Sequence, residues 1–336
     1  MCQFNLQALS QRRTQIMGFA MLSVVFFHSG FDLVTIPPLQ ILKQWGDVGV
    51  DMFLLMSGIG IYHSLNHKPN IPSFLKSRLR RILPAHLLVC GCWFLFLDIF
   101  LYGEGFLTFL LDVSSLNFWI NGRLTTWYLS SLLVMQFLTP IYLRRLEEHP
   151  HMDRIAIPVV LLLCLIITYT PFLNEKIGHL LIALYRIPAY LVGLSIGRRI
   201  CNNNALVSVS VPQLAAIIVV SLGVLVVSSG LTPLYLRWVL RYAAYLPIAT
   251  MICIGVTFLP ENKVFRYFGM HSLEVYLLHE KVLWVFSALA TRIMPGKEIH
   301  SVVVNILAIV VTCVGANILH AMLSFKTKRK GARNFA

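Results

Sequence analysis

A histidine and an aspartate four residues apart, His28 and Asp32, stand in the first long apolar run of this chain, Ile16 to about Ile36. On a helix that spacing puts both side chains on one face. His28 would lie roughly 18 Å along such a helix, at ~1.5 Å per residue. An imidazole there, able to gain or lose a proton near neutral pH, suits a general base for a hydroxyl. A neutral packing histidine is the other reading. Asp32 would either orient the ring through its far nitrogen or end the helix as a solvated residue. Asp51 stands early in the next apolar run, Asp47–Tyr62. A carboxylate inside a membrane helix is costly enough to imply a partner or a task, whereas Asp47 reads more simply as a helix-start charge facing the dipole. Arg78 and Arg81 are i,i+3 and share a face, and two guanidinium forks suit phosphate oxygens. With Lys76 and Arg80 they also form a cluster that membrane topology alone explains. Near the end, Ser272, Tyr276 and His279 step by four and three along one helical stripe, with Glu280 and Lys281 directly after.

The rest of the chain must hold these residues in a membrane. Of 336 residues, 57% are hydrophobic and 12% charged, against about 25% charged in a soluble domain. The expectation is an all-α polytopic membrane protein with a single membrane domain over 1–336. The net charge of +14 would suggest nucleic acid in a soluble protein; here the bases gather in loops on one side, so topology accounts for them and no nucleic-acid partner is expected. The seven cysteines mostly sit inside apolar runs and no CxxC occurs, so neither a disulfide framework nor a zinc site is indicated. His63 and His67 are spaced like two ligands but lack HExxH or a third donor. No metal is expected, and no P-loop or GxGxxG is present.

Apolar runs predict about ten helices. After the first, which follows Arg12-Arg13 and has no cleavage site behind it, come Asp47–Tyr62 and Ile82 to about Tyr102, joined by the basic stretch as a hairpin. A polar loop holding Gly103, Glu104 and Asp112 leads to Thr125–Leu143, Ile155–Leu173 and Ile177–Ile196, the last interrupted by Arg186 and Pro188. Val207–Val227, Leu236–Leu259, Ser272–Ile293 and Val302–Phe325 complete the set, and residues 325–336 read as a basic, disordered cytoplasmic tail. With both termini cytoplasmic, 19 of the 28 Lys and Arg residues face inward and 8 outward, Arg186, Arg237 and Arg241 among the latter, with Lys281 left inside a helix. That is the positive-inside bias expected of a plasma-membrane protein, as in a bacterial inner membrane. No internal repeat is visible.

Four stretches resemble the acyltransferase-3 family of integral-membrane O-acyltransferases. GVDMFLLMSG (Gly49–Gly58) is similar to its GVD-x-F-x-x-SG signature, and SRLRRILP (Ser77–Pro84) to the Arg-x-x-Arg-Ile-x-Pro signature that follows. TWYLSSLLVMQFLTP (Thr126–Pro140) resembles its Trp-Tyr-Leu helix, and FGMHSLEVYLLHEKVL (Phe268–Leu283) its Gly-x-x-Ser-x-x-x-Tyr-Leu-x-His segment. The resemblance implies a catalytic His28, a signature carboxylate at Asp51, and an acyl-CoA phosphate contact by Arg78 and Arg81. It also implies a cavity lined by Ser57, Trp127, Tyr128, Ser272, Tyr276 and His279. An aromatic belt also explains Trp127 and Tyr128, and close helix packing explains Ser57-Gly58. One position departs: the family commonly carries an arginine eleven residues before the histidine, and Met17 stands here.

The expected function is therefore membrane O-acyl transfer, with an acyl group, acetyl by preference, moving from cytoplasmic acyl-CoA to a hydroxyl of a cell-surface or lipid-linked saccharide such as an exopolysaccharide. Acetyl-CoA is a substrate and no cofactor is permanently bound. The expected partners are acyl-CoA, the saccharide, the bilayer and other polysaccharide-assembly proteins. Relatives often append an extracellular hydrolase-like domain; with none visible, the chain would deliver acyl groups directly or hand them on. The rival readings are a transporter or flippase of a lipid-linked sugar and a non-catalytic assembly partner.

Overall fold

In the computed structural model, residues 1–31, 33–67, 70–149, 151–230, 234–293 and 302–333 are described. Strand β1 (Cys2–Asn5) leads through α1 (Gln7–Gln11) into α2 (Arg13–His28), followed by α3 (Pro37–Gln44) and α4 (Val48–His67). α5 (Ile71–Phe94) continues as a π-helical segment, Leu95–Leu101. The short helices α6 (Phe106–Val113) and α7 (Leu116–Asn121) occupy the expected polar loop before α8 (Trp127–Glu148) and α9 (Met152–Tyr169). Then come α10 (Pro171–Ile177), α11 (Leu181–Leu184) and α12 (Ile187–Cys201). Strand β2 (Leu206–Val209) pairs antiparallel with β1, Cys2 opposite Val209 and Asn5 opposite Leu206. α13 (Val211–Gly230), α14 (Leu234–Phe258), α15 (Lys263–Met270), α16 (Ser272–Ile293) and α17 (Val302–Arg333) end the chain.

Among the described residues the protein is all-α apart from this ribbon, and it is polytopic. Among the described residues, six segments are long and apolar enough to cross a membrane: Val48–His67, Ile71–Leu101, Pro171–Cys201, Val211–Ser228, Arg237–Phe258 and Val302–Ser324. The other expected spans differ for physical reasons. α2 has 16 residues, about 24 Å of helix, and α9 is similarly short. α8 and α16 have 22 residues each but carry polar side chains inward: Ser130, Ser131, Gln136 and Thr139 in α8, and Glu274, His279 and Lys281 in α16, are all buried.

Several boundaries correct the sequence reading. The first helix stops at His28 rather than near Ile36, because the Gly30 N–H is taken by Asn305 Oδ1 at 2.7 Å and so leaves the helical ladder. A separate helix then starts at Pro37, as proline favours at a first turn. The basic cluster is not a hairpin turn. α5 starts before it, with Asn70 Oδ1 accepting from Ser73 N at 3.0 Å and Pro72 in the first turn. Lys76, Arg78, Arg80 and Arg81 are therefore helical residues. The stretch at Val207 is strand before it is helix. The C-terminal helix runs on through Arg333 where a disordered tail was expected.

The chain divides into two compact units: Met1–Ile16 with Val50–Lys76 and Leu110–Pro260, and Met17–Gly49 with Ser77–Phe109 and Glu261–Ala336. In the first, α9 packs on α8, α12 and α14, and α13 on α14. Glycines let α4 and α12 touch: a Cβ on Gly58 would come 2.4 Å from Tyr190 O, and one on Gly193 2.1 Å from Leu55 O. Small residues admit such approach where lipid gives no hydrophobic drive for helix association. In the second unit α16 packs along α17, and Trp93 of α5 meets Trp284 of α16 edge-on at 5.4 Å.

Candidate active site

His28 is the last residue of α2, and its surroundings fix it there. Ser29 Oγ donates back to Phe26 O at 2.6 Å, and Phe27 meets the His28 ring edge-on at 4.9 Å. Beyond, Lys43 Nζ donates to Phe31 O at 2.7 Å, holding the segment after the helix. The side chain is about a third exposed, and its Nε2 lies 3.1 Å from Glu280 Oε1 of α16. Asp47, buried, is a second negative charge acting on the same ring. With Glu280 ionised, Nε2 is the donor and Nδ1 keeps the lone pair. Nδ1 makes no hydrogen bond among the described residues. A carboxylate on one imidazole nitrogen with the other free to take a proton is the arrangement a general base requires.

His279 stands beside this pair, its ring centroid 5.2 Å from that of His28. It is 1% exposed, and its Nδ1 reaches two carbonyls of its own helix, Tyr276 O at 2.8 Å and Val275 O at 3.1 Å. Tyr276 is half-buried with its ring 5.9 Å from that of His279, while Ser272 is the half-buried first residue of α16. The stripe thus meets His28 through His279. Asp32, expected as the orienting carboxylate, lies outside the described residues. Among the described residues, Glu280 is a carboxylate that meets the ring. In the sequence, the signal for Glu280 is its place directly after His279.

Arg78 is half-buried, and Arg80 and Arg81 are both exposed, so burial does not separate Arg81 from Arg80. They lie on the same helix as Trp93, which meets Trp284 one turn past Glu280. Cys90 of α5 is within electrostatic reach of Lys281 and Glu280. Counting back from Cys90 and Trp93, the Arg78–Arg81 turns lie about 15–20 Å down α5 from the His28–Glu280 level.

The remaining expected residues gather in the first unit, around a different ion pair. Asp51, in the first turn of α4, accepts from Arg186 Nη1 at 2.5 Å, and each residue is 2% exposed. The guanidinium lies over the rings of Trp127 (5.4 Å) and Tyr242 (4.8 Å). Tyr185 stacks on Tyr242 at 5.1 Å and bonds Thr168 Oγ1 at 2.8 Å. Tyr128 packs against Phe53 at 6.3 Å. Arg186 therefore is not an outward loop cation. It sits at the break before α12, turned into the protein, where a buried carboxylate and aromatic faces make it tolerable. An arginine within an apolar run was the sign, since such a residue needs a partner. Ser57 is half-buried beside Gly58, in the α4–α12 contact. A cavity of about 360 Å³ opens at the other end of these helices, lined by Tyr62, Asn66, Arg144, Glu147 and Arg198 among others.

These features define a polytopic membrane protein with an accessible histidine–carboxylate pair set among buried polar side chains. A family model described as an acyltransferase domain, that of the acyltransferase-3 family, matches residues 16–321. The chain belongs to that family and is a membrane acyltransferase. No curated protein and no solved structure matches it.

Proposed function

We propose that the protein transfers an acetyl group from acetyl-CoA to a saccharide hydroxyl at the cell surface or on a lipid carrier, with His28 as general base. The observation that carries this reading is the part-exposed His28 at the end of α2, its Nε2 3.1 Å from the Glu280 carboxylate. Nδ1 of His28 takes the proton of the acceptor hydroxyl as its oxygen attacks the thioester carbonyl. The carbon–sulfur bond then breaks, and the imidazolium returns the proton to the departing thiolate. Free CoA thiol and the O-acetyl ester are the products. Glu280 stabilises the imidazolium between the two steps.

The donor enters from the cytoplasm in this account, and Arg78 and Arg81 hold its phosphates. The 15–20 Å from that turn to the catalytic level, at ~1.5 Å per helical residue, is the reach a long pantetheine arm supplies. Asp51 acts through Arg186, fixing α4 against the start of α12, rather than on the reactants. The test uses purified full-length protein in detergent with acetyl-labelled acetyl-CoA and an oligosaccharide acceptor. Ester formation that needs both substrates supports the reading. A protein that neither binds CoA nor consumes it would overturn this choice of donor.

A further inference from the structure

The second nitrogen of His279 is left over by this chemistry. Its Nδ1 faces two backbone carbonyls and so carries the proton, which leaves a lone pair on Nε2. That atom is buried and has no hydrogen-bond partner among the described residues, in a side chain 1% exposed. A buried acceptor without a donor is uncommon and calls for a ligand. Two other potential ligand groups lie close to that ring: one donor atom each from His28, His279 and Glu280 lie within 4.8 Å of one another.

We propose that His28, His279 and Glu280 form a binding site for a divalent transition ion of the zinc type, and that its occupancy switches off the general base. Two imidazoles and one carboxylate make a donor set that zinc accepts, leaving a fourth position open. In tetrahedral zinc with bonds of about 2.0–2.1 Å the donors stand about 3.3 Å apart. The His28 Nε2 to Glu280 Oε1 separation of 3.1 Å already matches that edge. The third corner needs only side-chain rotation, which the partial exposure of His28 and Glu280 permits. Charge favours a cation as well: Asp47 and Glu280 act on His28, and Glu280 also acts on His279, where Lys281 opposes it. The sequence gives no such signal because its ligands come from helices at opposite ends of the chain.

Inhibition follows from the tautomer. A metal on His28 Nε2 takes the lone pair there and puts the proton on Nδ1, so neither nitrogen is left to deprotonate a hydroxyl. This consequence rests on His28 being the base; the binding itself does not. The experiment is a zinc titration of the purified full-length protein against a chromophoric chelator, with a parallel cobalt titration read by its visible absorption. One equivalent should bind, and His279→Phe, which keeps the ring volume, should weaken it more than about 100-fold, beyond the loss typical of an outer-sphere change. Acetyl transfer should fall in step with zinc occupancy and return with chelator. No retained zinc, or retention unchanged in His279→Phe, overturns the site. Binding with transfer unaffected overturns the switch. One equivalent bound through His279, in a protein that shows no acetyl transfer even free of metal, upholds the site and removes the proposed acetyl-CoA-to-saccharide reaction instead.

Discussion

Asp51→Leu should destabilise the protein by about 3–5 kcal/mol, the cost of stranding one member of a buried ion pair. The Arg186 guanidinium is 2% exposed, so water cannot replace the lost carboxylate. The faces of Trp127 and Tyr242 remain beneath it, but such contacts contribute only about 0.5–2 kcal/mol each and are already made in the native protein. Asp51→Asn keeps an acceptor oxygen and should fall at the lower end, about 3 kcal/mol. Arg186→Met alone strands the carboxylate and should cost a similar 3–5 kcal/mol. The double variant Asp51→Leu, Arg186→Met removes both charges together and should lie within about 1 kcal/mol of the native protein or above it, as replaced buried pairs often do. The assay is unfolding in mixed micelles titrated with SDS, followed by tryptophan fluorescence. The refolded double variant should still transfer acetyl groups. Stability unchanged in Asp51→Leu, or no recovery in the double variant, would refute the buried-pair argument. A stable Asp51→Asn protein without transfer would place Asp51 among the reacting groups.

Three further outcomes are expected. Gly193→Val should destabilise by at least 1–3 kcal/mol, roughly the usual overpacking range, because its side chain would meet the Leu55 backbone; the same micelle titration reads it, and a native-like value would mean α4 and α12 do not touch. Arg78→Ala and Arg81→Ala should each raise the apparent CoA dissociation constant roughly 10–100-fold, the loss of a charged hydrogen bond, while Arg80→Ala does much less; equal effects at all three would leave the cluster purely topological. Reporter fusions at Ala336 should be active only inside the cell, and activity only outside would invert the topology.

The helices were readable where periodicity is local. The helix from Ser272 starts where its pattern indicates, because the apolar face and the break before it are encoded in adjacent residues. The end of α2 was not readable, since it depends on Asn305, 275 positions from Gly30. The same separation of scales governs the site. His28 and Asp51 could be picked out as chemistry-bearing residues in their own segments. The partners that give them meaning could not. Arg186 is 135 positions from Asp51, and Glu280 reaches His28 from the far end of the chain. The β1–β2 ribbon was missed for a related reason: four-residue strands beside a long apolar run carry too little pattern to stand apart from the helix that follows.

If His28 moves the proton, His28→Gln should abolish most of the transfer while sparing the fold. Glutamine keeps a polar side chain at the end of α2, so the fold and CoA binding should persist at matched membrane abundance. The rate of labelled acetyl transfer to the saccharide acceptor should fall roughly 10²–10⁴-fold, the usual share of a general base. A His28→Gln protein that transfers acetyl groups at the native rate would contradict the account.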